Sequence, residues 1–147
     1  MIVTILCGLP GSTKSTFAST ELYTEVINQD NLGSRKACLK RMEEALKYGR
    51  DVIIDRTNIN KQQRKYFIYL AKQYNAQIDC IIFKSDPEEC IKRIQARKNH
   101  PTIKEDFSLD KIREIVLKFV NSYEEPINDE GFTTIFTHHI DNMLGQK

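Results

Sequence analysis

Residues 8–16 of this 147-residue chain read GLPGSTKST. Such a loop can hold phosphate. Its backbone N–H groups, backed by the positive end of a following helix, cradle the β-phosphate of a nucleotide. In that arrangement Lys14 reaches the β- and γ-phosphates and Ser15 ligates Mg²⁺. Gly8, Lys14 and Ser15 keep the full spacing of G-x-x-x-x-G-K-[ST], and Gly11 adds a second flexible residue. Gly8, Gly11, Ser12, Thr13, Lys14, Ser15 and Thr16 are therefore the expected nucleotide-binding set. One position departs: Thr13 stands where the pattern has glycine. A β-branched residue at positive φ is an outlier, and holding one there costs about 1–3 kcal/mol. Either the loop uses an ordinary φ at Thr13, or nucleotide binding is weakened. A threonine hydroxyl can also add a hydrogen bond to phosphate.

Four more places carry groups that could act with such a loop. Asp30 ends INQD. Alone it reads as well as a helix N-cap as a general base that takes the proton of an acceptor hydroxyl. Asp55 opens DRTN at 55–58, where an acid can hold a Mg²⁺-bound water or merely cap a turn. Arg93 and Arg97 lie four apart on one helix face. Beside a triphosphate such a pair stabilises charge on the group in transit, although by itself it also reads as a solvated basic face. His100 reads as a loop residue, and His138-His139 has no metal-ligand pattern.

These groups act together only if the fold gathers them. Residues 2–7, IVTILC, read as a central parallel strand followed by a helix from Lys14 to about Thr20. Further strands are expected at 23–29, 51–55, 76–84 and 132–136. Helical spacing appears at Cys38–Leu46 with a stop at Gly49, and at Tyr66–Tyr74. It appears again from Asp86-Pro87-Glu88 to about Lys98, and at Leu109–Tyr123. The tail from 138 has no clear pattern. Strands alternating with helices predict an α/β fold: a five-stranded parallel sheet of the phosphate-loop NTPase type, flanked by helices. Ligands of such sheets sit beyond the carboxyl ends of the strands, which is where each group above lies. Residues 1–147 read as one domain.

Composition narrows the class. Apolar residues are 40% and charged residues 29%, as in a globular chain. No apolar run nears the roughly 20 residues that span a bilayer, and no secretory leader is recognisable, so an intracellular protein is expected. The four cysteines are widely spaced and read as buried free thiols in a reducing compartment. A net charge of +2 is too small for a protein that coats nucleic acid, but not for one that grips the end of a strand. Nothing in the sequence specifies an oligomeric state.

GLPGSTKSTF, INQDNLGSRKAC, VIIDRTN followed by Arg64, and R-x-x-x-R at 93–97 occur in the order and spacing of the polynucleotide 5′-hydroxyl kinases. The chain resembles the kinase domain of the mammalian-type polynucleotide kinase/phosphatase over roughly residues 1–136, without the phosphatase and phosphopeptide-binding parts of that type. The resemblance implies transfer of the γ-phosphate of ATP or GTP, with Mg²⁺, to the 5′-OH end of DNA or RNA, in repair or before ligation. It puts Lys14 and Ser15 on the triphosphate and Mg²⁺. Asp30 becomes the general base. Arg97, with Arg93, falls on a lid over the donor phosphates. Asp55, Thr57, Asn58 and Arg64 fall on the motif that shapes the acceptor side, where Arg56 stands in place of the acid of the phage-type pattern. Besides Thr13, the chain has Gln29 where the family has arginine before the base, and Arg56 is placed to restore that charge. Two other readings stand beside this one. One is a small-molecule kinase of the same architecture. The other is a non-catalytic nucleotide- or end-binding module weakened by Thr13.

Overall fold

Val3, Ile5, Leu6 and Cys7 are completely buried, so the first strand, β1 (Ile2–Cys7), is covered on both faces. Only a strand in the middle of a sheet between helical layers has that environment. The computed structural model describes residues 1–12, 14, 24–96 and 108–139, and places β1 at the centre of a five-stranded sheet. The other strands are β2 (Glu25–Asn28), β3 (Val52–Asp55), β4 (Gln77–Lys84) and β5 (Thr134–His139). They run in the order β2-β3-β1-β4-β5, and every neighbouring pair is parallel. The expected α/β architecture is present.

The helices are a single turn α1 (Gln29–Leu32), then α2 (Arg35–Lys47), α3 (Lys61–Gln73), α4 (Pro87–Ala96) and α5 (Leu109–Ser122). Ser34, Asn60 and Ser108 cap α2, α3 and α5 by accepting from Ala37, Gln63 and Lys111 backbone N–H groups. Each cap satisfies an N–H that the helix itself leaves unpaired. Gly49 follows α2 at φ 71, a left-handed conformation glycine adopts without strain. Cys38, Met42 and Leu46 of α2 and Phe67 and Ala71 of α3 pack on the sheet face made by Val3, Ile5, Ile27, Ile54, Ile78 and Cys80. Cys90, Ile91 and Ile94 of α4 meet Ile112 and Val116 of α5 in a second cluster that takes in Leu9 of the loop after β1.

Two strand boundaries differ from the sequence reading. The segment 132–136 starts pairing only at Thr134 and continues to His139. Phe132 is buried in the core instead, and Thr133 bonds Ile78 through both its N–H and its hydroxyl. As an edge strand, β5 leaves Phe136, Thr137, His138 and His139 exposed, so no apolar alternation marks its second half. The segment 23–29 pairs only over Glu25–Asn28, because Gln29 already begins α1. The four cysteines are free and buried. No helix among the described residues is long and apolar enough to cross a membrane.

β3 lies in the middle of this packing. Its Ile54 is fully buried between β1 and β2. Ile54→Ala should lower stability by about 2–5 kcal/mol, read as a fall in the urea midpoint with an unchanged m-value.

Candidate active site

The residues after β1 form a tight loop. Ser12 donates its N–H to the Leu9 carbonyl at 3.1 Å, and Gly8 donates to the Thr57 carbonyl at 3.1 Å. A Cβ at Gly8 would lie 2.7 Å from Ser12 Oγ and 3.2 Å from the Phe83 carbonyl. Gly11 stands at φ 79, and a Cβ there would meet the Cys90 carbonyl at 2.7 Å. Both positions need glycine, for space at the first and for backbone and space at the second. Lys14 is buried, and its ammonium donates to the Leu9 carbonyl at 2.8 Å and to Ser12 Oγ at 3.2 Å. The lysine thus lies across the loop that would wrap phosphate. Arg93 reaches the same loop from α4, donating to the Gly11 carbonyl at 2.9 Å and to Ser85 Oγ at 2.7 Å. It is a loop anchor and not a solvated basic face. Thr13, Ser15, Thr16, Arg97 and His100, and the helix expected after Lys14, lie outside the described residues.

The ends of β2 and β3 supply the acids. Asn28 and Asp55 are register partners, and Asn28 Nδ2 donates to Asp55 Oδ2 at 3.0 Å. Asn28 Oδ1 accepts from the Asn31 N–H at 3.2 Å and is the N-cap of α1. The capping role that sequence alone offered Asp30 is therefore taken by Asn28. Asp30 sits in the first turn of α1 with its side chain exposed. Asp55 is buried at the end of its strand, 6% exposed. Asn28 was not singled out from the sequence. Its one signal was an Asn just before a short polar helix.

Arg56 lies between these acids and α3. Burial pulls its guanidinium below the usual arginine range, and the nearby Arg35 cation adds to that, while Cys38 and Asp30 oppose it. Its Nη1 is enclosed with no hydrogen-bond partner, and its guanidinium carbon is 5.3 Å from the centre of the Phe67 ring. A buried cation with an unmet donor is costly unless an anion completes it. Gln29, where the family pattern has arginine, opens α1 with its Oε1 enclosed and unpartnered. The positive charge beside Asp30 thus comes from the end of β3.

Asn58 and Arg64 face inward and bind the loop after β3 to its surroundings. Asn58 has φ 48, in the left-handed region that asparagine tolerates. Its Nδ2 donates to the Leu6 carbonyl at 2.7 Å. Arg64 is completely buried; its Nη1 donates to the Asn58 carbonyl at 2.8 Å. Its Nε and Nη2 grip the two Glu130 oxygens at 2.8 and 3.0 Å. Burial lowers the Arg64 guanidinium, and the bonds to Glu130 with nearby charges more than offset it, so it ends above the usual value. Sequence put both residues on the acceptor side. With no exposed surface and every described bond directed inward, they hold the loop after β3. Thr57 shares that work through Gly8. Glu130 was missed, because nothing local marks an acid 66 residues from its partner.

The phosphate loop, two acids and two cations thus share the carboxyl edge of the sheet. Residues 3–121 match the family model described as AAA domain. A bifunctional polynucleotide phosphatase/kinase of Schizosaccharomyces pombe is 30% identical over 149 residues, covering 86% of this chain and 36% of that one. A protein named transcription factor bHLH140, of Arabidopsis thaliana, is 30% identical over 144 residues, covering 91% of this chain and 15% of that one. The chain spans well under half the length of either relative. Kti12 of Chaetomium thermophilum, solved with ADP-AlF3, shares the fold at a TM-score of 0.64 and 20% identity, over 95% of this chain and 89% of that one. The five-stranded sheet is that of the phosphate-loop kinases.

The clamp on the loop after β3 can be broken from its far end. Glu130→Ala leaves the Arg64 guanidinium buried and half-paired, and should cost about 3–5 kcal/mol. Thermal and urea unfolding would read that loss.

Proposed function

The chain belongs to the AAA domain family, and from that premise we propose that it is a polynucleotide 5′-hydroxyl kinase. Residues 1–147 act as one kinase domain inside the cell. It transfers the γ-phosphate of ATP or GTP to the 5′-OH end of DNA or RNA. The relative from Schizosaccharomyces pombe has polynucleotide kinase in its name. The observation that carries the reading is at the acceptor edge. Asn28 takes the cap of α1, which leaves the Asp30 carboxylate exposed, and Arg56 beside it has an enclosed donor without a partner. A base and an unmet cation side by side suit an acceptor with both a hydroxyl and a phosphate. A nucleic-acid 5′ end has both.

The fit to a nucleotide rests on the loop. At Gly8 a Cβ would fill the close approach, and Gly11 holds a left-handed turn. Lys14 lies across the loop, and its ammonium can pass from Leu9 and Ser12 to phosphate oxygens. Arg93 fixes the loop through Gly11, and Arg97 is the expected lid cation. Mg²⁺ takes one or two protein oxygens and completes its shell with phosphate and water. Ser15 and Asp55 would hold it, directly or through water, and it would neutralise charge on the phosphates. Asp30 accepts the proton of the 5′ hydroxyl as its oxygen attacks the γ-phosphorus. The bond to the β-bridging oxygen breaks and the nucleoside diphosphate departs with its electron pair.

The test is transfer of labelled γ-phosphate to a 5′-OH oligonucleotide. Asp30→Ala should lower kcat by about 10²–10⁴ and leave nucleotide affinity unchanged. Arg56→Ala should raise the acceptor KM by about ten- to hundredfold, the value of a lost charged hydrogen bond, with kcat less affected. A free nucleoside phosphorylated as well as the oligonucleotide would replace this reading with a small-molecule kinase. Transfer that appears only after Thr13→Gly would mean a site disabled at that residue.

A further inference from the structure

A groove of about 740 Å³ opens between α2 and α3, away from the phosphate loop. Leu39, Tyr66 and Tyr69 form its apolar surface, and Lys36, Lys40 and Lys65 stand around it. Lys36 and Lys40 are one turn apart on α2, and Lys65 and Tyr69 one turn apart on α3, so the two helices present these faces to each other. Tyr69 is 67% exposed, an unusual state for a large aromatic ring. Among the described residues none of the three lysines has an ion-pair partner. Elsewhere on the surface Arg41 pairs with Glu25, Lys84 with Glu125, Lys92 with Glu89 and Arg113 with Glu88. The acid in the groove, Glu43, is engaged by the Tyr74 hydroxyl at 3.0 Å. With three lysines against one carboxylate, the groove presents net positive charge beside the open face of Tyr69.

It also connects to the acceptor edge. The Arg35 guanidinium stacks 3.9 Å from the centre of the Tyr66 ring at the start of α2. The Arg56 guanidinium lies 5.3 Å from the centre of the ring of Phe67, the next residue along α3, with Arg35 and Asp30 both in its surroundings. Cations thus run from the proposed base to the groove mouth, and the tyrosines continue from there.

We infer that the α2–α3 groove is a track for single-stranded nucleic acid, holding the nucleotides that follow the 5′ end by stacking a base on Tyr69 and pairing phosphates with Arg35, which already covers the Tyr66 ring, and with Lys36, Lys40 and Lys65. This rests on the kinase reading above. Aromatic faces flanked by cations are the general solution for binding single strands without sequence preference. An acidic protein segment would use the lysines, but its carboxylates supply no planar face for Tyr69, whereas every nucleotide brings a phosphate and a base together. The track makes acceptor affinity grow with length and fall with salt.

The experiment uses the full chain with two acceptors, a dinucleotide and a single strand of about ten residues. Transfer kinetics are measured alongside anisotropy of the labelled longer strand, across a salt series. The variants are Tyr69→Ala and the pair Lys36→Glu with Lys40→Glu, all at exposed positions. Tyr69→Ala should weaken the longer strand by about five- to hundredfold in KM and in Kd. The lysine pair should weaken it and flatten the salt dependence, by about 0.7 in log–log slope for each phosphate that the protein ceases to neutralise. The dinucleotide KM should not move. Equal KM for both acceptors, or variants that leave the longer strand unaffected while transfer proceeds, would overturn the track and leave the kinase reading standing. Strand binding that the variants abolish, in a protein that transfers nothing, would support the track and overturn the kinase reading. Neither transfer nor binding would overturn both.

Discussion

The site hangs on a buried arginine. Arg64 has no exposure to water, and a guanidinium so placed is tolerable only when its donors are met. Glu130 meets two of them in a bidentate grip, and the Asn58 carbonyl meets another. Asn58 must then hold a left-handed backbone, and its amide reaches the Leu6 carbonyl at the end of β1. One residue earlier, the Thr57 carbonyl accepts from Gly8, the first residue of the phosphate loop. A chain of polar contacts inside the core therefore ties the exit of β3 to the exit of β1. Backbone carbonyls and a left-handed turn are fixed together, so the loop after β3 cannot drift without costing Arg64 a hydrogen bond. That requirement sets the separation between what the β1 loop holds and what the β3 loop presents.

Most of this scaffold was legible in the sequence, for definite reasons. β1 and β3 are nearly continuous apolar runs because they are covered on both faces, and β4 shows alternation because its second face is only partly covered. α2, α3 and α5 carry helical spacing because each covers one side of something larger. The phosphate loop was legible because its chemistry demands fixed residue types at fixed spacing. What was not legible depended on distance along the chain. The partnership of Arg64 with Glu130 joins α3 to a turn that precedes the last strand, and no periodicity reports such a pair. The one-turn α1 is too short to show a period, so Asp30 could not be told from a cap until Asn28 was seen in that role. β5 lost its signal because an edge strand with one covered face at its start need not alternate.

On the proposed reading, the positive charge at the acceptor edge comes from a different strand end than in the family pattern. A glutamine occupies the position before Asp30, and its side-chain oxygen is enclosed without a partner. Arg56 comes from the neighbouring strand end, near enough for Asp30 to favour its charge. Because β2 and β3 are parallel and in register, with Asn28 opposite Asp55, residues that follow the two strands emerge side by side. Charge on either chain end arrives at nearly the same place. The sheet, and not the local sequence, is what makes the two positions interchangeable. The cost is that a guanidinium on the β3 side must cross apolar surface beside Phe67, which lowers its own tendency to stay charged.

The strand order divides the labour of the site. β1 stands between β3 and β4, so the phosphate loop faces two different neighbourhoods. On the β4 side, α4 sends Arg93 to the Gly11 carbonyl, and the α4–α5 cluster packs Leu9. That side fixes the loop. On the β3 side lie Asp55, Arg56 and, beyond them, Asp30 just after β2. In the proposed transfer that side would take the acceptor. In-line transfer needs the attacking oxygen and the leaving oxygen on opposite sides of the phosphorus. A parallel sheet with its phosphate loop on the central strand supplies two such sides from a single edge. Its rigidity also matters, since alignment of two bound reactants contributes about 7–11 kcal/mol to lowering a barrier only when their separation is held. The buried Arg64 clamp lies on the boundary between the two sides, where that separation is set.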